Sequence, residues 1–410
     1  MLTNPSRYAK WLGDEASSKT EQAISNSEQP RFAKQTYEGS LRLPLSEDWR
    51  WTMSDPGHWA ISRMELGTPV VAGDHVLVGN SRAAGLFVLE RNTGRLLKTI
   101  PMEGPVQAPP VALDDGWLVV DVFGHLQRFD RDYEPVWAQP YDSGAGVFRQ
   151  PTIDGDQAIV SAANDQVISV DLGTGAWRWS HKRVITRGDQ DLAILGAPAA
   201  TVVGDAVIQG FSDGFVVALD RTNGAELWAL QVGDGRFPDI QAEVIPYEGT
   251  LIVAAFGGPT VAIDQDSQAI RWRVDSGAVS TMNISDESLY VSTGRGALLA
   301  LDPSNGTTQW RWEPKDKQLG PPMRVGSSLF VGDSTGTLHA IDRYDGKESW
   351  RYRPYDGTRL SGVAGAATAQ GRQLLFVSAG GHVHALIGAS SLAGDLSEEP
   401  GSRRDRSLGW

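Results

Sequence analysis

The chain has 410 residues, with 37 Lys+Arg against 50 Asp+Glu; the resulting charge of -13 argues against a nucleic-acid protein, which presents a basic face. Hydrophobic residues make up 40% and charged residues 21%, which is a globular rather than a disordered composition. Cysteine is absent, which excludes disulfides, Cys-ligated zinc, iron–sulfur clusters, thiol nucleophiles and a lipid on a cysteine of this chain, and no apolar run reaches the roughly 18 residues of a membrane-spanning helix.

Residues 1–40 are polar, as in Ser17-Ser18-Lys19-Thr20-Glu21, and read as a tail or tether with no signal-peptide apolar core between Met1 and Pro30. Asp48-Trp49-Arg50-Trp51 follows, an isolated strand-like phrase. One phrase then recurs: an apolar strand ending in Asp, a turn with Gly, and a Trp. Its clear copies are Asp171…Gly175…Trp179, Asp220…Gly224…Trp228, Asp302…Gly306…Trp310 and Asp342…Gly346…Trp350. Asp264…Trp272 keeps the same spacing with Gln268 at the glycine position. Phe129-Asp130…Trp137 is one residue shorter, and Glu90…Gly94…Lys98 alters both ends. An eighth copy breaks off at Leu386, and residues 390–410 read as a second flexible tail.

The anchors fall at 90, 130, 171, 220, 264, 302, 342 and 387, a period of 38 to 49 residues. Four-stranded propeller blades repeat every ~40–45 residues. Helical repeats have similar periods, but the segments here are short and alternating, such as Leu338-His339-Ala340-Ile341. The expected fold is all-β: an eight-bladed β-propeller of four-stranded antiparallel blades over residues 41–389. The eighth copy lacks its outer strand, and Asp48-Trp49-Arg50-Trp51 matches the outer strands Ala176-Trp177-Arg178-Trp179 and Gln309-Trp310-Arg311-Trp312. Residues near 47–54 are therefore expected to close the ring.

Each repeat Asp bonds its own turn, each Gly accepts a positive φ, and each Trp packs between blades. Asp171, Asp220, Asp264, Asp302 and Asp342, with Trp179, Trp228, Trp272, Trp310 and Trp350, are structural anchors on this reading. The carboxylates sit on different blades and do not converge for acid–base work. His382 and His384 share one face of a strand, and they read as exposed strand residues rather than as a metal site. No metal, cofactor or catalytic residue is expected, and the chain reads as a non-enzyme.

The Asp-x-x-x-Gly-x-x-x-Trp phrase resembles the tryptophan-docking repeat of the pyrroloquinoline-quinone (PQQ)-like propellers. Within them the chain is similar to the BamB family of outer-membrane β-barrel assembly factors. Leu192-Ala193-Ile194-Leu195-Gly196-Ala197-Pro198, Arg236-Phe237-Pro238-Asp239-Ile240-Gln241 and the stretch from Leu329 to His339 carry that likeness. The resemblance implies a scaffold at the periplasmic face of the outer membrane. It would be a monomeric subunit docking on the periplasmic domains of a BamA-like barrel-assembly protein through Leu192, Ile194, Arg236, Phe237, Asp239 and Gln241. Leu195 stands where the family has Arg, and Gln241 replaces an acid. The alternatives are a PQQ-like propeller of another envelope or signalling complex and a quinoprotein enzyme, whose vicinal disulfide this chain cannot form.

The intervals give an independent pointer. Spacings of 49 from 171 to 220 and 44 from 220 to 264 place extra residues near 181–196 and 231–242, in neighbouring inter-blade loops. Apolar Leu192, Ile194, Phe237 and Ile240 are expected at their tips among the charges of Arg187, Asp189, Arg236 and Asp239. Function concentrates on such loops held by a rigid scaffold.

Overall fold

A computed structural model of the chain describes residues 36–37, 41–53, 67–80, 84–185, 197–234, 237–278, 281–285, 287–354, 363–370, 373–378 and 380–388. Both tails, apart from Thr36–Tyr37, lie outside the described residues, as do Leu192, Ile194 and Arg236.

Eight antiparallel sheets follow one another along the chain. Blades 1 to 7 occupy residues 70–100, 111–142, 152–182, 201–231, 245–274, 283–312 and 323–352. Blade 8 takes three strands from 363–388 and its outer strand, Leu45–Thr52, from the other end of the chain. That strand runs antiparallel to His382–Gly388, with Trp49 opposite Ala385 and Trp51 opposite Val383. The closing strand thus begins two residues earlier than the sequence suggested. Strand Thr36–Tyr37 adds to blade 7, parallel to its first strand Met323–Val325.

Burial explains the residue types. Middle strands pack on both faces and are apolar throughout, as in Gly116–Val120. Outer strands pack on one face and alternate, as in Trp177–Lys182. Eight separate apolar clusters lie between neighbouring blades, one at each junction. Between blades 3 and 4, for example, Ile159, Val167 and Trp179 meet Val207, Phe211 and Leu219. Each such side chain contributes ~1.5–3 kcal/mol by leaving water, so the ring is stabilised at its seams.

The turns repeat one device. The carboxylate of Asp171 accepts the backbone N–H of Thr174 at 2.8 Å, and the carbonyl of Asp171 accepts the N–H of Gly175 at 2.8 Å. Asp220, Asp302 and Asp342 do the same for their own turns. The tryptophan of the preceding blade then lies on that glycine. A Cβ on Gly224, whose φ is +72°, would stand 2.4 Å from the Trp179 ring. The indole N–H of Trp179 donates to the carbonyl of Arg221, one residue past the turn Asp, at 3.1 Å. Trp49, Trp137, Trp272 and Trp310 make the equivalent bond to Arg91, Leu172, Pro303 and Arg343.

The junction of blades 4 and 5 departs from this pattern. Gln268 occupies the glycine position at φ +58°, and its side-chain amide donates to the carbonyl of Gln265 at 3.0 Å. That carbonyl is the equivalent of the one the indole takes elsewhere. Trp228 is half-buried, and among the described residues its indole makes no hydrogen bond. Blades 1 and 2 solve the same problem differently. Lys98 replaces the tryptophan, lies over the Tyr133 ring at 5.8 Å and bonds the Asp132 carbonyl at 2.9 Å.

His382 and His384 are not exposed, contrary to the sequence expectation: they are 8% and 0% accessible. The closing strand and the neighbouring blade cover that face, which alternation within one strand does not reveal.

Candidate functional site on the inter-blade face

Antiparallel blades place every link from an outer strand to the next inner strand on one face of the ring. The turns between second and third strands share that face, and the Asp–Gly turns lie on the other. The described part of the link from blade 4 to blade 5 is tightly held. Val232 and Gly233 donate to the Gly214 carbonyl at 2.9 Å each, and Ile240 donates to Phe211 at 3.1 Å. Phe256 donates to the Asp239 carbonyl at 2.8 Å, and Gly257 donates to that of Phe237 at 3.2 Å. A Cβ on Gly233 would stand 1.9 Å from the Pro238 carbonyl, so the two arms of the loop meet at van der Waals distance only because glycine is there.

These ties decide where the expected contact residues lie. Phe237 is partly exposed and meets Phe256 edge-on, with centroids 6.3 Å apart. Asp239, Ile240 and Gln241 are buried at 0%, 1% and 2% accessibility. Contrary to the sequence expectation, Asp239 and Ile240 therefore do not form the loop's exposed surface. Ile240 fills the space over Gly210 and bridges to Ala255, and it draws its neighbours under the loop. Of the six expected contact residues, Phe237 is the one that is both described and accessible.

Beside this loop is a cleft that the sequence reading did not foresee. Its volume is about 400 Å³, and it lies between Asp234, Phe256–Pro259, Arg273, Asp275, Ser276, Gly294 and Arg295. Arg273 stands 3.8 Å from both Asp234 and Asp275, in ion pairs open to water that contribute little stability. Arg295 is exposed. The run Gly257-Gly258-Pro259 was the available signal, since residues without bulky side chains leave a wall of backbone. An apolar ring pair with a charged rim suits a modest protein interface.

Among the described residues, another group of titratable side chains lies elsewhere, around a buried pair. In blade 7, His339 stands between Asp333 at 3.0 Å and Glu348 at 2.9 Å, and Lys317 reaches Asp333 at 2.7 Å. Burial pushes the Asp333 carboxyl up, but His339, Lys317 and the turn amides outweigh it and hold it well below its ordinary value. Asp333 and His339 are 2% and 4% accessible, so the centre of the group braces a turn away from water. Among the described residues, no three His, Cys, Asp or Glu are grouped as metal ligands would be.

A family model described as outer membrane protein assembly factor BamB matches residues 46–143, 132–312 and 296–393. A curated BamB from Kangiella koreensis is 25% identical over 142 residues, 33% of this chain and 36% of that protein. The serine/threonine-protein kinase AfsK of Streptomyces griseus is 24% identical over 284 residues, 65% of this chain and 32% of the kinase. The matched parts thus span about a third of either curated relative. The crystal structure of BamB from Moraxella catarrhalis superposes with a TM-score of 0.69 at 18% identity, covering 84% of this chain and all of that one.

Proposed function

The chain belongs to the family of the outer membrane protein assembly factor BamB, and on that premise we propose that it is a non-catalytic scaffold of outer-membrane β-barrel assembly. It works in the cell envelope, at the periplasmic side of the outer membrane. Its partner is the periplasmic part of a BamA-like barrel-assembly protein. The family match along residues 46–393 carries this reading. The contact surface is the inter-blade face around the links from blade 3 to blade 4 and from blade 4 to blade 5. Leu192, Ile194, Arg236 and Phe237 make the contact, and buried Asp239 and Gln241 support the loop from beneath. The bonds at Val232, Gly233, Phe237, Asp239 and Ile240 favour this, because interface segments that are already held lose less entropy on binding.

The similarity to AfsK favours a second reading, a propeller module of a signalling complex. Affinity purification of the full chain from its native envelope, with partners identified by mass spectrometry, separates the two. The first reading expects a barrel-assembly protein in the parental sample. It expects that protein's loss in the Leu192→Asp, Arg236→Glu double variant, with the melting temperature unchanged. Retention at parental levels refutes the contact surface. A parental sample that captures a kinase-linked partner, or that carries bound quinone, refutes the scaffold reading.

A further inference from the structure

The two ends of the propeller meet at a polar cluster inside an apolar seam. His384 lies on the last strand of blade 8 and is fully buried. Its Nδ1 stands 2.8 Å from Oε2 of Glu47 on the closing strand, and the same oxygen accepts the Tyr352 hydroxyl of blade 7 at 2.9 Å. The His384 ring stacks on Phe376, with centroids 4.9 Å apart and planes 12° apart. Its Nε2 is buried and has no hydrogen-bond partner among the described residues. With the proton on Nδ1, neutral His384 donates to Glu47 and leaves Nε2 unprotonated and buried. A second proton would put an N–H there with nothing among the described residues to accept it, at the full cost of desolvation.

We propose that the Glu47–His384 contact is an acid-released latch that holds the N-terminal strand in the ring. The contact spans 337 residues of sequence and joins two strands whose separation opens the propeller. Among the described residues the charged and titratable neighbours are few. Arg50 on the closing strand and His382 on the same strand as His384 disfavour a charged imidazole, and Glu47 favours one. Tyr352 faces the cluster from blade 7. Strand Gln373–Ser378 brings Phe376 and no titratable group. Thr52 holds His382 at 2.9 Å, so the neighbouring imidazole has its own partner on the closing strand.

The sign follows from these contacts. Burial lowers His384 by more than Glu47 raises it, so the folded state keeps it neutral below its ordinary 6.5. Burial raises the Glu47 carboxyl, but its bonds to His384 and Tyr352 hold it below its ordinary 4.5. Both depressed groups contribute stability above their unfolded values and lose it as pH falls through their folded ones. The latch therefore weakens from about pH 6.5 downward, with His384 first and Glu47 later.

Hydrogen exchange by mass spectrometry on the full chain tests this, corrected for the intrinsic pH dependence of exchange. Between about pH 7.5 and about pH 5.5, protection of Leu45–Thr52 should fall about tenfold more than that of Trp177–Lys182 in blade 3. In His384→Gln the two strands should respond alike. Equal responses in the parent, or the same selective loss in His384→Gln, would overturn the latch. If that variant does not fold, NMR titration of the His384 imidazole in the parent decides. Protonation that coincides with loss of strand protection supports the latch, and protonation with the strand still protected refutes it.

Discussion

The junction of blades 3 and 4 and that of blades 4 and 5 are built from the same repeat and end differently. At the first, Trp179 is 3% accessible, lies on Gly224 and bonds the Arg221 carbonyl. At the second, Gln268 stands where the glycine should be and lays its own amide on that carbonyl, and among the described residues Trp228 has no indole bond. A single glycine thus does two things for the docked junction. It makes room for a flat ring, and it brings no side chain of its own onto the carbonyl, which at docked junctions takes the indole beside a donor from elsewhere in the fold. Losing it removes both, without disturbing the Asp264 turn, which keeps its Ser267 amide bond at 2.8 Å. This junction is bridged by the loop whose described residues are 232–234 and 237–244, so the proposed contact surface spans a seam without the indole clamp of its neighbour.

Substitutions can break or sharpen this contrast. Trp179→Ala should cost ~3–5 kcal/mol, since it empties a buried seam. Trp228→Ala should cost only ~1–2 kcal/mol, as expected for a half-buried ring with no bond to lose. Urea midpoints of the two variants and the parent provide the check, and equal losses would remove the distinction. Gly224→Ala should cost about 2–4 kcal/mol, from left-handed strain together with a methyl forced against Trp179. The smallest effect runs the other way. Gln268→Gly relieves a positive φ and removes the side chain that lies at the docking position, so it should stabilise by about 1 kcal/mol, read as a raised thermal midpoint.

Much of this architecture was legible in the sequence. The Asp-to-Trp spacing set the blade period, and the orphan Asp48-Trp49-Arg50-Trp51 gave the closure, because strand pairing at a ring's end leaves a matched remainder at the chain's other end. Gln268 was visible as an exception, but its effect on Trp228 was not, since that depends on which blade's carbonyl the indole meets. The burial of His382 and His384 was hidden for the same reason. On the candidate face, loop length pointed to 231–242. It could not tell that Asp239 and Ile240 turn inward, which follows from bonds to Phe211 and Phe256 far along the chain.

Hydrogen exchange of the two outer strands compares the seams most directly. The account predicts that Glu226–Gln231 of blade 4 exchanges faster than Trp177–Lys182 of blade 3, and that Gln268→Gly brings blade 4 to the protection of blade 3. Equal protection of the two strands in the parent, or no gain in Gln268→Gly, would contradict it.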